Sequence, residues 1–428
     1  MANSMLRIRG FLPYVILLFL NAFVDQGHKM LIQNTIFKVH DGYYQVVLTA
    51  IVNALILLPF ILLFSPAGFC SDRWPKNSIM RTAAWLAVGL TLLITLFYYL
   101  GWFWPAFGMT FLLAAQSAFY SPAKYGYIRA LVGTGNLTAA NGVVQAATIV
   151  AILVGTFVMS ILFEWRYQGV SENTESAILQ TIAPMGWLLV LNSMVELVMA
   201  YRLPQLEQPN PKQLFSVPDY LTGRDITSAV KPIYSHKVII AAIIGLTGFW
   251  SVSQLMLAAF PAFAKAELGE TNTVYIQGVM ALTGIGIIAG AMLAAKFARS
   301  DNIQSPFNVA WLPLPALVIA ICLLCIPLFP SLLIHATNFF LIGLLGGLFI
   351  VPLNTLIQYY GEPSQLGKIL AANNLMQNIG MFCFLLLTAA FAWLGIEARY
   401  LLMLVAFVAL LVCGYSALKV RAILNAGA

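Results

Sequence analysis

Charge is scarce in this chain. Its 428 residues include 22 Lys and Arg, 15 Asp and Glu and four His, so charged side chains make up 9% against about 25% in soluble domains. That supply cannot cover a water-facing surface of this size, which excludes a soluble enzyme. Disorder is excluded as well, because it needs low hydrophobicity and high charge, whereas 61% of these residues are hydrophobic. With 31 Gly and five Cys, neither a collagen-like nor a disulfide-dense class applies. The four histidines (His28, His40, His236, His335) are scattered, and HExxH, GxSxG and grouped Cys/His patterns are lacking. No catalytic residue, metal site or cofactor is therefore expected. Cys322 and Cys325 form a lone CxxC inside an apolar run and read as core fillers. The net charge of +7 comes without a basic cluster interleaved with aromatics, so no nucleic-acid partner is expected.

Long apolar runs are what the chain does have. They fall at about 11–36, 44–67, 79–100, 103–126, 138–163, 180–202, 238–264, 272–297, 307–329, 331–359, 371–395 and 399–420. Each is near the roughly 20 residues that a membrane helix needs, so twelve spans account for most of the sequence. Arg7 and Arg9 precede the first run, but Asp25, His28 and Lys29 stand where a cleavage site would need small residues. The first run therefore reads as a retained helix. If the N-terminus is cytoplasmic, sixteen Lys and Arg fall in inside loops and four (Lys38, Arg166, Lys265, Arg399) outside. This bias predicts both termini in the cytoplasm. Trp102, Trp104, Trp165 and Tyr400 at span ends read as an interfacial belt.

The polar break at 203–237 contains five prolines and divides the spans into halves at 1–202 and 238–428. A short amphipathic helix is expected within it near Tyr220–Ala229. The halves share a repeat: Ala139-Ala140-Asn141-Gly142-Val143-Val144-Gln145 returns as Ala371-Ala372-Asn373-Asn374-Leu375-Met376-Gln377, and Pro122 returns as Pro352. Duplicated halves of six spans are typical of secondary transporters. The fold class expected is an all-α polytopic membrane protein with two pseudo-symmetric six-helix halves.

Ionisable groups inside a membrane cost on the order of 2.5–3.5 kcal/mol each on insertion scales and need partners or a water-filled cavity. Asp25 and Lys29 lie four apart on the first span, where they can pair with each other, beside His28, or bind a head group or proton. Lys124, in Ser121-Pro122-Ala123-Lys124-Tyr125-Gly126, faces either a cavity or the cytoplasmic interface. Glu196 is a weaker candidate, with Arg202 near enough in sequence to hold it. Three amide pairs at i, i+4 form polar stripes: Asn141 with Gln145, Asn354 with Gln358, and Asn373 with Gln377. Packing and a shared cavity wall both explain them. Gly286 with Gly290, and Gly343 with Gly347, read as close helix contacts.

Gly68-Phe69-Cys70-Ser71-Asp72-Arg73-Trp74-Pro75-Lys76 resembles the cytoplasmic signature of the major facilitator superfamily, with Pro75 where Gly is usual. The resemblance implies a gating role for Gly68, Asp72, Arg73 and Lys76, with Gly68 allowing close helix approach. A narrower resemblance, to the bacterial lysophospholipid transporter family and the transporter portion of its acyltransferase fusions, rests on four segments. These are Asp25-Gln26-Gly27-His28-Lys29, Ala118 through Gly126, Ala140-Asn141-Gly142 and Gly346 through Asn354. It implies movement of lysophosphatidylethanolamine and related lipids from the outer to the inner leaflet of the bacterial inner membrane. Asp25, Lys29 and Lys124 would meet the head group and the amide stripes the glycerol region. The implied partners are membrane lipid and a separate acyltransferase or acyl-carrier-protein ligase, with the chain acting as a monomer. Gln26 and Gln254 depart from the family's usual Asn and Arg, which leaves head-group preference open. Two rivals remain: a proton-coupled carrier of a soluble metabolite or drug, and a membrane scaffold for a separate acyltransferase.

Overall fold

The computed structural model describes residues 8–132, 137–170, 172–206, 215–297, 311–361 and 366–426. Regular structure among them is entirely helical. The first helices are α1 (Phe11–Val39), α2 (Gly42–Leu62), α3 (Phe64–Arg73), α4 (Lys76–Leu100), α5 (Phe103–Val132), α6 (Leu137–Tyr167), α7 (Glu175–Ile182) and α8 (Pro184–Tyr201). Two short helices, α9 (Val217–Leu221) and α10 (Arg224–Val230), follow in the region where one was expected. Then follow α11 (Lys237–Leu268), α12 (Thr273–Phe297), α13 (Pro313–Cys325), α14 (Leu332–Tyr360), α15 (Leu366–Trp393) and α16 (Ala398–Ala426).

Every expected span is occupied by helix. The sixth is divided between α7 and α8 at Ala183, with Pro184 in the first turn of α8, where its missing N–H costs nothing. Among the described residues ten helices are long and apolar enough to cross a membrane. The other two spans are α13, short and apolar, and α5, which is 30 residues long but interrupted by Gln116, Ser117, Tyr120 and Lys124. Large apolar side chains point outward in rows, such as Leu92 and Leu96 on α4 and Leu191, Met194 and Val198 on α8. Rows of this kind suit lipid, not water. Trp102, Trp104, Trp165 and Tyr400 are all exposed, as belt residues should be. The protein is a multi-pass membrane protein.

The chain divides into two compact units, Met1–Val39 with Leu58–Val217, and His40–Leu57 with Pro218–Ala428. In the first, α1 packs on α5, α6 and α8, and α4 packs on α5 and α8. Its core gathers Phe11, Tyr14, Leu17, Tyr120, Tyr127 and Val144. Residues 40–57 join the second unit because Ala50, Ala54 and Leu57 pack with Ala258 and Leu385. At the start of that segment Lys265 Nζ binds Asp41 Oδ1 at 2.8 Å and the His40 carbonyl at 3.1 Å.

The tightest seam of the second unit lies between α12 and α14. A methyl added at Gly286 would collide with the Phe340 carbonyl, at Gly290 with that of Leu344, at Gly343 with that of Thr283, and at Gly347 with that of Ile287. The paired small residues thus let two backbones touch, as the sequence spacing indicated. Gly290→Val is expected to cost about 1–3 kcal/mol through overpacking, read as a lower melting temperature of the detergent-solubilised protein. An unchanged melting temperature would show that the seam can yield.

Candidate functional site

Asp25 lies on α1 and takes both its hydrogen bond and its interacting cation from α5. Ser117 donates to Asp25 Oδ2 at 2.5 Å, and Gln116 lies beside Ser117 at 3.2 Å. Lys124 is the cation that interacts electrostatically with Asp25. Its Nζ donates to Thr148 Oγ1 on α6 at 3.4 Å, while Tyr14 donates to its backbone carbonyl at 2.6 Å. Lys124 therefore turns inward within the first unit and does not snorkel outward. Ser117, Tyr120 and Lys124 are spaced i, i+3, i+7, one face of a helix, which is how α5 brings all three to the same place. Pro122 on that stretch removes the bond that the Ala118 carbonyl would have received.

Asp25 and Lys29 share a helix face but form no ion pair with each other among the described residues; Asp25's cation is Lys124, 99 residues away. Lys29 is half-buried. His28 is committed elsewhere, with Nδ1 2.7 Å from the Tyr98 hydroxyl and the two rings stacked at 6.0 Å. Gln26 donates to Thr156 on α6 at 2.8 Å.

Glu196 on α8 is fully buried and Arg202 does not reach it; six residues apart on a helix, the two point to different faces. The expected contact is thus corrected. Asn21 approaches the carboxyl, and Asp25 and Tyr120 interact with it electrostatically, yet neither of its oxygens completes a hydrogen bond. Asp25 Oδ1, the Tyr120 hydroxyl and Ser193 Oγ are also buried without a hydrogen-bond partner. Native proteins satisfy most buried polar groups, so these orphans make this part of the first unit the candidate site. Ser117, Tyr120 and Thr148 escaped the sequence reading. The signal for the first two was present, since both share a helix face with Lys124.

Of the amide stripes, Asn141, Gln145 and Gln358 have side chains outside the described residues. Thr148, a turn beyond Gln145 on α6, supplies a polar group near Lys124. In the second unit Gln377 donates to Asn373 Oδ1 at 2.9 Å, so that stripe is a bonded pair. Asn354 instead donates to the Ile350 carbonyl of its own helix at 3.1 Å.

The expected gate residues lie on α3 and at the start of α4. Arg73 packs over Phe69 and Trp74, with its guanidinium carbon 5.7 and 5.6 Å from the ring centres. Asp72's side chain lies outside the described residues. Among the described residues a Cβ at Gly68 would meet nothing within 4 Å, so close approach is not what this glycine provides here. Gly126 provides it instead: a side chain there would collide with the Lys76 stem.

Inward-turned charges on a frame of membrane-crossing helices define a polytopic protein of the secondary-transporter type. The model of the Major Facilitator Superfamily matches residues 14–384, and the chain belongs to that family. Lysophospholipid transporter LplT of Photorhabdus laumondii subsp. laumondii is 28% identical over 380 residues, covering 88% of this chain and 87% of that protein. The protein of the same name from Salmonella gallinarum is 26% identical over 411 residues, covering 92% and 91%. A bacterial homologue of the iron transporter ferroportin, solved in an inward-facing state, shares the fold with a TM-score of 0.72 at 13% identity over 97% of this chain and 99% of that one. A bacterial Spinster homologue, inward-facing and occupied, does so at 0.67 and 14% over 96% of each.

Proposed function

We propose that this protein moves lysophospholipids of the lysophosphatidylethanolamine class from the outer to the inner leaflet of the bacterial inner membrane. The reading is carried by similarity to two proteins named as lysophospholipid transporters across about nine-tenths of the chain, and the charged cluster on α1, α5 and α8 supports it. A lysolipid has a phosphate-bearing head and one acyl tail. Lys124, and Lys29 nearby on α1, offer cations for the phosphate. Asp25 offers an anion for the ethanolamine ammonium. The amides Asn141, Gln145, Asn354, Gln358, Asn373 and Gln377 would bond the glycerol region while the tail stays in lipid.

Movement would proceed by alternating access, with the halves 1–202 and 238–428 rocking about the 203–237 connector. Gly68, Asp72, Arg73 and Lys76 would act at the cytoplasmic gate, and both termini would face the cytoplasm. The chain performs no covalent chemistry in this scheme; reacylation falls to a separate acyltransferase or acyl-carrier-protein ligase, and the transporter works as a monomer.

The test is to add labelled lysophosphatidylethanolamine to the outside of spheroplasts and follow its conversion to diacyl lipid. Conversion that depends on expression of this protein is the expected result. If purified protein in liposomes moves no lysolipid, yet carries a soluble metabolite with protons, the proposal fails.

A further inference from the structure

We infer that the outer face of α4 and α8 holds one anionic diacyl phospholipid, its phosphate at Arg81, Tyr201 and Arg202 and one acyl chain in the trough over Gly89. The site lies outside the Asp25 cluster and does not depend on which molecule the protein moves.

Two aromatic rungs frame this face. Near one end of the helix pair Trp85 of α4 donates its indole N–H to the Tyr201 hydroxyl of α8 at 3.1 Å. At the other end Trp187 of α8 donates to the Tyr99 hydroxyl of α4 at 3.2 Å. All four rings are exposed, and between the rungs so are Leu92 and Leu96 of α4 and Leu191, Met194 and Val198 of α8. Gly89, one turn from Trp85, is exposed too, and a Cβ there would meet nothing within 4 Å. It leaves a notch in an otherwise bulky apolar surface. Trp85 to Tyr99 covers about 21 Å of helix, and one leaflet supplies about 15 Å of hydrocarbon, so a chain entering past Trp85 ends within the trough.

The charge sits at one rung alone. Arg81 donates Nε to the Ala200 carbonyl at 3.2 Å and Nη2 to that of Leu203 at 2.9 Å, with its guanidinium carbon 5.2 Å from the Tyr201 ring centre. Its Nη1 makes no hydrogen bond among the described residues and is left for a further acceptor. Arg202 follows directly on α8, is exposed, and forms no ion pair or side-chain hydrogen bond among the described residues. Because an indole N–H can only donate, the Tyr201 oxygen accepts from Trp85 and keeps its own proton for an acceptor. Two guanidinium groups and a phenol thus offer donors to one phosphodiester beside an interfacial tryptophan, and Arg is well suited to phosphate oxygens. Neither helix carries a Lys or Arg at the Tyr99–Trp187 end, so the head group belongs to the leaflet on the Arg81 side.

A second copy of the chain fits this face poorly. Copies in one membrane orientation, paired through it about a twofold axis, would bring their Arg202 side chains together at the same depth with no acid between them.

Native mass spectrometry of the detergent-solubilised protein tests the inference with two probes of equal chain length, dioleoyl phosphatidylglycerol and dioleoyl phosphatidylcholine. Wild-type protein is expected to retain one phosphatidylglycerol in preference to phosphatidylcholine. Tyr201→Phe with Arg202→Gln should weaken phosphatidylglycerol retention about tenfold and abolish the preference. Gly89→Leu fills the notch without touching the charges, and should weaken retention while the preference stays. Equal retention of the two lipids by wild-type protein, or full phosphatidylglycerol retention in the double variant, would overturn the inference. So would a dimer without bound lipid that Gly89→Leu dissociates, since the face would then belong to a second copy.

Discussion

Lys124→Gln is expected to slow lysolipid movement in proteoliposomes by about thirtyfold or more. Truncating one partner of a buried, hydrogen-bonded charge contact costs roughly 2–5 kcal/mol, and each 1.4 kcal/mol is about a factor of ten. The same change strands Asp25, whose Oδ2 keeps its bond from Ser117 but whose interacting cation is gone. A second measurement separates the two effects. The double variant Asp25→Asn with Lys124→Gln removes both charges, so its thermal stability should recover toward wild type while its transport stays low, as coupled neighbours behave in a double-mutant cycle. Stopped-flow quenching of a fluorescent lysolipid reports the rate. Wild-type rates in Lys124→Gln would remove this lysine from the head-group site.

Glu196→Met is expected to move stability and function in opposite directions. The carboxyl is fully buried and neither oxygen finds a hydrogen bond, so the folded state bears its desolvation without compensation. Replacing buried ionic groups with apolar side chains of similar volume is often neutral or stabilising by about 1–4 kcal/mol. A rise of a few degrees in melting temperature should therefore accompany slower lysolipid movement in proteoliposomes. Such a trade is the mark of a residue kept for activity. A fall in melting temperature with lysolipid movement unchanged would make Glu196 a structural residue.

Much of the frame was legible in advance, because apolar runs of about 20 residues follow from the thickness of the bilayer itself. The site was legible only in part. Asp25 and Lys124 stood out as charges in apolar runs, but spacing suggested Lys29 as the partner of Asp25, since i, i+4 neighbours are all that a single helix can reveal. The actual cation comes from α5, 99 residues on, through a helix–helix contact that no local pattern encodes. Glu196 was misjudged for a related reason: nearness to Arg202 in sequence counted for more than helix phase. The α5 face was within reach, however. Its Gln116, Ser117, Tyr120 and Lys124 also make this long helix less apolar than its neighbours. A span that falls short as a membrane helix is a reasonable place to look for polar groups that serve a substrate.

The seam between α12 and α14 has a practical consequence for anyone mapping this protein by mutation. Scans that trim side chains ask what each residue contributes by taking it away. At Gly286, Gly290, Gly343 and Gly347 there is nothing to take, so such a scan would report silence along the closest backbone contact of the second unit. Only a scan that adds bulk, one methyl at a time, would find it.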